Sequence, residues 1–355
     1  MEMKLNFTPE DWMRVKEDWI LFLAGELRRP LIVLETVDPS FHGPVPLEFN
    51  YPLDVPVEKV LDEYQAYLQA KRFHGDAFPK WWPNFGPGIL AGFLGAHVRV
   101  TPTTVWFEPP ARRGVLGDLR FTFDEGNVWW RRIHDLTAQA VARWRGRVAV
   151  GHTDLGGNLD VLASFLTTEK LLYSLYDYPE EVGRLTGEIT RLWLECYDAL
   201  YDLIKSGGCG TTPWAPVWSP GRCYMLQSDF SYMISPAMFE RFVLPDLEAC
   251  CRRLDHAFYH LDGKGQIAHL EMLLSLERLV GIQWVPGDGA PPPEEWLSLL
   301  ARIRRAGKLC QVFVTPEGAV TIARELGGKG FIFHVSGIEK AEEAEDFVAM
   351  MRGFD

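Results

Sequence analysis

A chain of 355 residues, 24% charged and 47% hydrophobic, has the composition of an ordinary folded protein rather than a disordered or membrane-spanning one, and its length suits one large α/β barrel or two smaller domains. With 36 basic against 48 acidic side chains the formal charge is −12, which repels phosphate backbones; no arginine- or lysine-rich stripe offsets it, so nucleic acid is not an expected partner. The N-terminus, MEMKLNFTPEDWMRVKEDW, has neither the layout of a signal peptide nor the length of a bilayer span, so a soluble, cytoplasmic protein with no membrane partner is expected.

Taken in chain order, short β-branched runs alternate with helical patterns, the alternation of βα units on a parallel barrel. The runs are PLIVLET ending near Thr36, then GILAGFLGA or VRVTPTTVWF, RVAVGHTDL ending near Leu155, and CYMLQSDF ending near Phe230. HAFYHLD, LVGIQWV, KLCQVFV and GFIFHV follow, ending near Asp262, Val285, Val314 and Val335. The reading is an α/β fold, a (β/α)8 TIM barrel in one domain over 1–355, with 1–135 contributing an N-terminal extension, cap or insertion. Among the helices, Tyr178-Pro179 is expected to break one long pattern in two, and Ser235-Pro236 to open another as N-cap and first helical residue.

In such a barrel the active site lies where strands hand over to helices. That position selects Glu35, His152, Asp154, Gln227, Asp229, His260, Asp262, Gln283, Trp284 and His334. His152-Thr-Asp154 and His260-Leu-Asp262 share a spacing, and residues two apart on a strand face the same side. Each pair can present an oriented acid/base couple or hard ligands for a divalent cation; each can equally be a structural tie. Trp284 begins a stiff Gly- and Pro-rich loop and either stacks on a ligand or closes the barrel. The six cysteines show no CxxC spacing, and Cys310 opens its run instead of closing it, so it is expected in the core.

Several of these segments resemble the superfamily of uroporphyrinogen decarboxylases and cobalamin-dependent methyltransferases. Leu226-Gln-Ser-Asp-Phe230 followed by ISPAMFERFVLPDL, YHLDG at 259–263, GHTDLGGNLDVLASFLTTEKLLYSLYDYPEEV and GFIFHV carry the likeness, over roughly residues 140–350. Two departures matter. The arginine-rich N-terminal motif that receives porphyrinogen carboxylates is missing, which argues against that substrate, and the zinc-binding His-x-Cys pair of the methyltransferases reads His260-x-Asp262 here.

The resemblance implies a methyltransferase acting on a small molecule, with zinc held by His260, Asp262 and His334, and with a cobalamin-type corrinoid carried by a separate partner protein. His260, Asp262, Asp229 and His152 are then the expected catalytic groups. Asp154, Gln227, Trp284 and Glu35 are the expected substrate contacts. Two alternatives stay open: a metal-independent decarboxylase or lyase of a small carboxylated substrate, and a barrel that binds a sugar-like ligand without turnover.

Overall fold

The computed structural model describes residues 3–43, 45–46, 53–101, 104–110 and 116–354. Its strands are β1 (Leu31–Val37), β2 (Lys71–Gly75), β3 (Lys80–Trp81), β4 (His97–Val100), β5 (Val105–Glu108), β6 (Ala149–Val150), β7 (Cys223–Leu226), β8 (His256–Asp262), β9 (Leu279–Val285), β10 (Leu309–Val314) and β11 (Phe331–Val335). Seven form one sheet in the order β2-β1-β11-β10-β9-β8-β7, all parallel except β2. β3 and β6 pair with each other in parallel, and β4 and β5 make an antiparallel hairpin. The fold is therefore mixed α/β around a parallel sheet, and among the described residues no continuous ladder closes the sheet into a ring.

Both breaks have local causes. β2 runs antiparallel along β1 and occupies the edge where a parallel second strand would pair. Between β6 and β7 the chain passes through Pro213, Pro216 and Pro220, which have no N–H to donate, and only single contacts such as His152 N to the Thr212 carbonyl, 3.0 Å, bridge the gap.

Alternation along the strands creates two apolar layers. Leu31, Val33, Met225, Phe258, Leu309 and Ile332 face the inside of the curved sheet. The helix Pro9–Leu23 closes that inner layer from the N-terminal ends of the strands with Trp12, Val15, Trp19 and Phe22. Leu34, Tyr259, Ile282, Val312 and Phe333 face outward onto the helices. With its apolar floor filled, the inward row at the C-terminal ends of β1 and β8–β11 is left to polar residues.

The second strand was expected in either of two runs, and neither supplies it. Leu90–Phe93 is a buried helical turn, and VRVTPTTVWF is the β4–β5 hairpin, with Pro102 and Thr103 outside the described residues. The N-terminal third also does more than cap: it contributes β1 and β3 and the helix that closes the floor. The break at Tyr178-Pro179 is present between Thr168–Asp177 and Pro179–Ile204, and Ser235 caps Pro236–Phe242 by accepting from Met238 N. No helix among the described residues is long and apolar enough to cross a membrane.

Candidate functional site

Parallel register sets His260, Gln283 and Gln311 abreast on β8, β9 and β10. The three side chains form a hydrogen-bonded row whose polarity is fixed at one end. Gln311 Nε2 donates to the Pro216 carbonyl at 3.2 Å, and a carbonyl can only accept. Gln311 Oε1 therefore accepts from Gln283 Nε2 at 2.8 Å, and Gln283 Oε1 is left to accept from His260 Nδ1–H. The consequence is a tautomer: Nδ1 carries the proton and Nε2 presents its lone pair. Both glutamines are fully buried, so the row is isolated from competing water.

That lone pair faces two carboxylates. Asp229, His260 and Asp262 each offer one ligand atom, and these atoms lie within 4.8 Å of one another; His260 Nε2 is 4.0 Å from Asp262 Oδ2. Trp214 packs edge-on against the His260 ring, with centroids 5.2 Å apart, and Trp214 Nε1 donates to the Met225 carbonyl. Asp229 sits on a short helical turn after β7, and Asp160 holds its backbone by accepting from Asp229 N at 3.1 Å and Phe230 N at 2.7 Å. Burial first, then the charge of Asp229, pushes the Asp160 carboxyl up to about 7. Gly157 allows this close packing, since a Cβ there would collide with the Gln227 carbonyl and the Asp160 carboxylate.

His334 does not join this group. It lies beyond Gln311 in a cavity of about 390 Å³ that it lines with Glu35, Lys71, Lys80, Trp81 and Trp214. Glu35 pairs with Lys71 Nζ at 2.5 Å. Burial, opposed in part by Glu35, holds the His334 imidazole down at about 4, and its Nδ1 is buried with no hydrogen-bond partner among the described residues.

In fold the chain is similar to a methyltransferase from Methanosarcina mazei. The two are 10% identical, the match covers 97% of this chain and 98% of that one, and the TM-score is 0.58. No family model matches the chain, and no curated protein sequence matches it. At such low identity the likeness bears on architecture alone.

Three further expected site residues, besides His334, are placed differently. β6 ends at Val150, whose side chain faces the helices, and His152 continues that outward side: its ring stacks on Tyr197 at 4.3 Å and 12°. Trp284 is one residue out of phase with Gln283, so it is buried on the helix side against Trp296 and does not line the cavity that holds His334. Asp154 is buried without a hydrogen bond to the His152 ring, accepts from Gly156 N at 2.9 Å, and bonds the Gln227 side chain. Burial, then the charges of Asp229 and Asp160, pushes Asp154 up to about 8. Cys310 is buried on the helix-facing side, and burial raises its thiol to about 12, so no thiolate is on offer.

Gln311, Asp160 and Trp214 were not among the expected residues. Gln311 lies mid-strand, away from the strand ends; its signal is a glutamine one strand over from Gln283. Asp160 is an acid inside the otherwise apolar NLDVLASFL helix, after two glycines.

His152 supplies a prediction about acid stability. Burial lowers its pKa from 6.5 to about 3, so between those values the unfolded chain takes up a proton that the folded chain refuses. Stability must fall as pH drops through that window. His152→Phe keeps the aromatic stack and removes this proton uptake. Urea unfolding between pH 3 and 6.5 should therefore show a shallower loss of stability in the variant, by one proton at most in slope, and any catalytic activity should survive.

Proposed function

We propose that the chain is a methyltransferase-like enzyme of the uroporphyrinogen decarboxylase and cobalamin-dependent methyltransferase superfamily, built on a (β/α)8 framework, which exchanges a methyl group between a small molecule and a corrinoid carried by a separate protein. The observation that supports this most is the His260 tautomer: a buried amide row, anchored on a carbonyl, turns a lone pair toward two carboxylates. An oriented imidazole with an outer partner is how metal-binding histidines are prepared.

The residues fit a divalent cation. His260 Nε2 and one oxygen each from Asp229 and Asp262 would be the donors, a nitrogen and two hard oxygens, a three-ligand set of the kind found in catalytic zinc sites. A zinc ion held there supplies a Lewis acid that lowers the pKa of a bound thiol or hydroxyl. The protein's own part is orientation. Gln283 and Gln311 make Nδ1 the proton-bearing nitrogen of the neutral His260 ring and so aim Nε2 at the carboxylates, Asp160 fixes the turn that carries Asp229, and Trp214 packs against the imidazole. The cavity beyond Trp214, with Glu35 and His334, is the space for the body of the small molecule.

The amide row predicts a graded effect. Gln283→Leu should weaken zinc binding by ~10–100-fold, the usual cost of losing an outer partner. Gln283→Glu still accepts from Nδ1–H but has no N–H to give Gln311 Oε1, so it should recover only part of that loss, as read by calorimetric titration.

The functional test uses methylcobalamin as donor and a small thiol, 2-mercaptoethanol, as acceptor, followed anaerobically by absorbance. The methyl moves from cobalt to sulfur, the thiol proton is released, and cob(I)alamin accumulates. Zinc-dependent demethylation that His260→Ala lacks is expected; equal demethylation in chelator-treated protein would overturn the reading. A carboxy-lyase reading draws on Asp154 and Asp160, carboxyls that burial pushes up to about 8 and about 7. Carbon dioxide release from a small keto acid without corrinoid would favour it.

A further inference from the structure

The cavity beside Trp214 holds a lysine that the proposed metal centre does not use. Lys80 opens β3, and its Nζ donates to the Trp214 carbonyl at 2.9 Å and the Pro213 carbonyl at 3.4 Å, its hydrogen-bond partners among the described residues. Glu35, the carboxylate nearby, is already paired with Lys71. Two acceptors satisfy both N–H groups of a neutral amine. The remaining tetrahedral position is left for a third proton or for the lone pair, on a side chain that lines the cavity. Much of the wall around it is aromatic, from Tyr64, Tyr67, Trp81, Trp82, Trp214 and Phe313.

The geometry points to Lys80 as a nucleophilic amine that captures a small carbonyl compound with a flat, apolar body as a covalent iminium in this cavity. The cavity's ~390 Å³ falls in the ordinary range for small-molecule sites. Burial, opposed by Glu35 and reinforced by Lys71, lowers the Lys80 pKa from 10.5 to about 7, so a substantial share of the amine is free near neutrality. Among the described residues, the charged or titratable groups that line the cavity with it are Glu35, Lys71, His334, Tyr64 and Tyr67, and His334 is held neutral.

The chemistry balances without any other reagent. The nitrogen lone pair attacks the carbonyl carbon and the C=O π pair moves to oxygen. The oxygen then leaves as water, taking one proton from nitrogen and one from the medium, and a protonated C=N bond remains. This capture lies beyond the methyl-transfer reading and needs no metal.

The test uses benzaldehyde and cyanoborohydride on the full chain after chelator treatment, so that failure of the metal centre cannot affect it. Hydride reduces the iminium to a stable benzylamine, which peptide mass mapping locates. At pH 7 Lys80 should be labelled well ahead of the exposed Lys59 and Lys340, whose side chains are 65% and 75% accessible. Its labelling rate should rise through a midpoint near 7, and Lys80→Arg should lose that label while keeping the others. Mapping the unaltered chain keeps the test valid even if the variant folds poorly. Labelling confined to surface lysines, or of Lys80 only after unfolding, would overturn the proposal and leave Lys80 a structural tie between two carbonyls.

Discussion

His260→Ala is expected to abolish zinc binding and turnover while the chain still unfolds cooperatively. The imidazole supplies the one nitrogen donor of the proposed set, so its loss should exceed the ~10–100-fold effect expected at Gln283. The structural cost is limited. His260 is mostly buried, with 15% of its side chain accessible, and its main contacts are one glutamine and the ring of Trp214. Removing it strands Gln283 Oε1 in a buried place, a penalty of ~1–3 kcal/mol that shows as a lower thermal midpoint. Calorimetric zinc titration and activity per folded molecule, measured together, separate a lost ligand from a lost fold.

Asp262→Asn is expected to be the second most damaging change, through charge and not shape. The amide has the size of the carboxylate, and Asp262 is 42% accessible, so stability should hardly move. The cation loses a full negative charge. A unit pair ~4 Å apart at an effective dielectric of ~20 is worth roughly 4 kcal/mol, and losing even half of that weakens binding ~30-fold. If His260 and Asp262 were only a structural pair, both variants would lose stability together and their folded fractions would work normally. Zinc affinity unchanged in Asp262→Asn would remove that carboxylate from the donor set.

The strands were legible where apolar runs were long. β1 and β7–β11 fall within the expected segments because five or so buried residues between turns leave few other solutions. The second strand was not, because Lys71–Gly75 and Lys80–Trp81 are short and carry lysine, arginine and histidine, while the more apolar Leu90–Phe93 went to a helical turn. Closure of the ring depended on backbone donors in the Pro213–Pro220 stretch, which composition alone does not weigh.

At the site, strand-end position pointed to His260 and Asp262, which lie as neighbours on one inward face with Asp229 beside them. The same rule misplaced His152 and Trp284 because period-two alternation has a phase. That phase is set by which residues of β6 and β9 face the floor, and a one-residue difference sends a ring to the helix side. His334 does face inward, but β9 and β10 separate its strand from that of His260, so it lies beyond the Gln311 row and belongs with Glu35 and Lys71. Gln311 and Lys80 act through lateral register and backbone carbonyls from distant loops, and no local pattern in the chain reports either.

In the proposed centre, an oriented His260 lone pair between two carboxylates would hold a divalent cation. The most direct measurement is zinc K-edge absorption of the zinc-loaded chain with calorimetric stoichiometry, repeated on His260→Ala. One zinc per chain in a nitrogen- and oxygen-only shell containing a single imidazole, lost in the variant, is the predicted result. No stoichiometric binding, a sulfur ligand in the shell, or undiminished affinity in His260→Ala would contradict it.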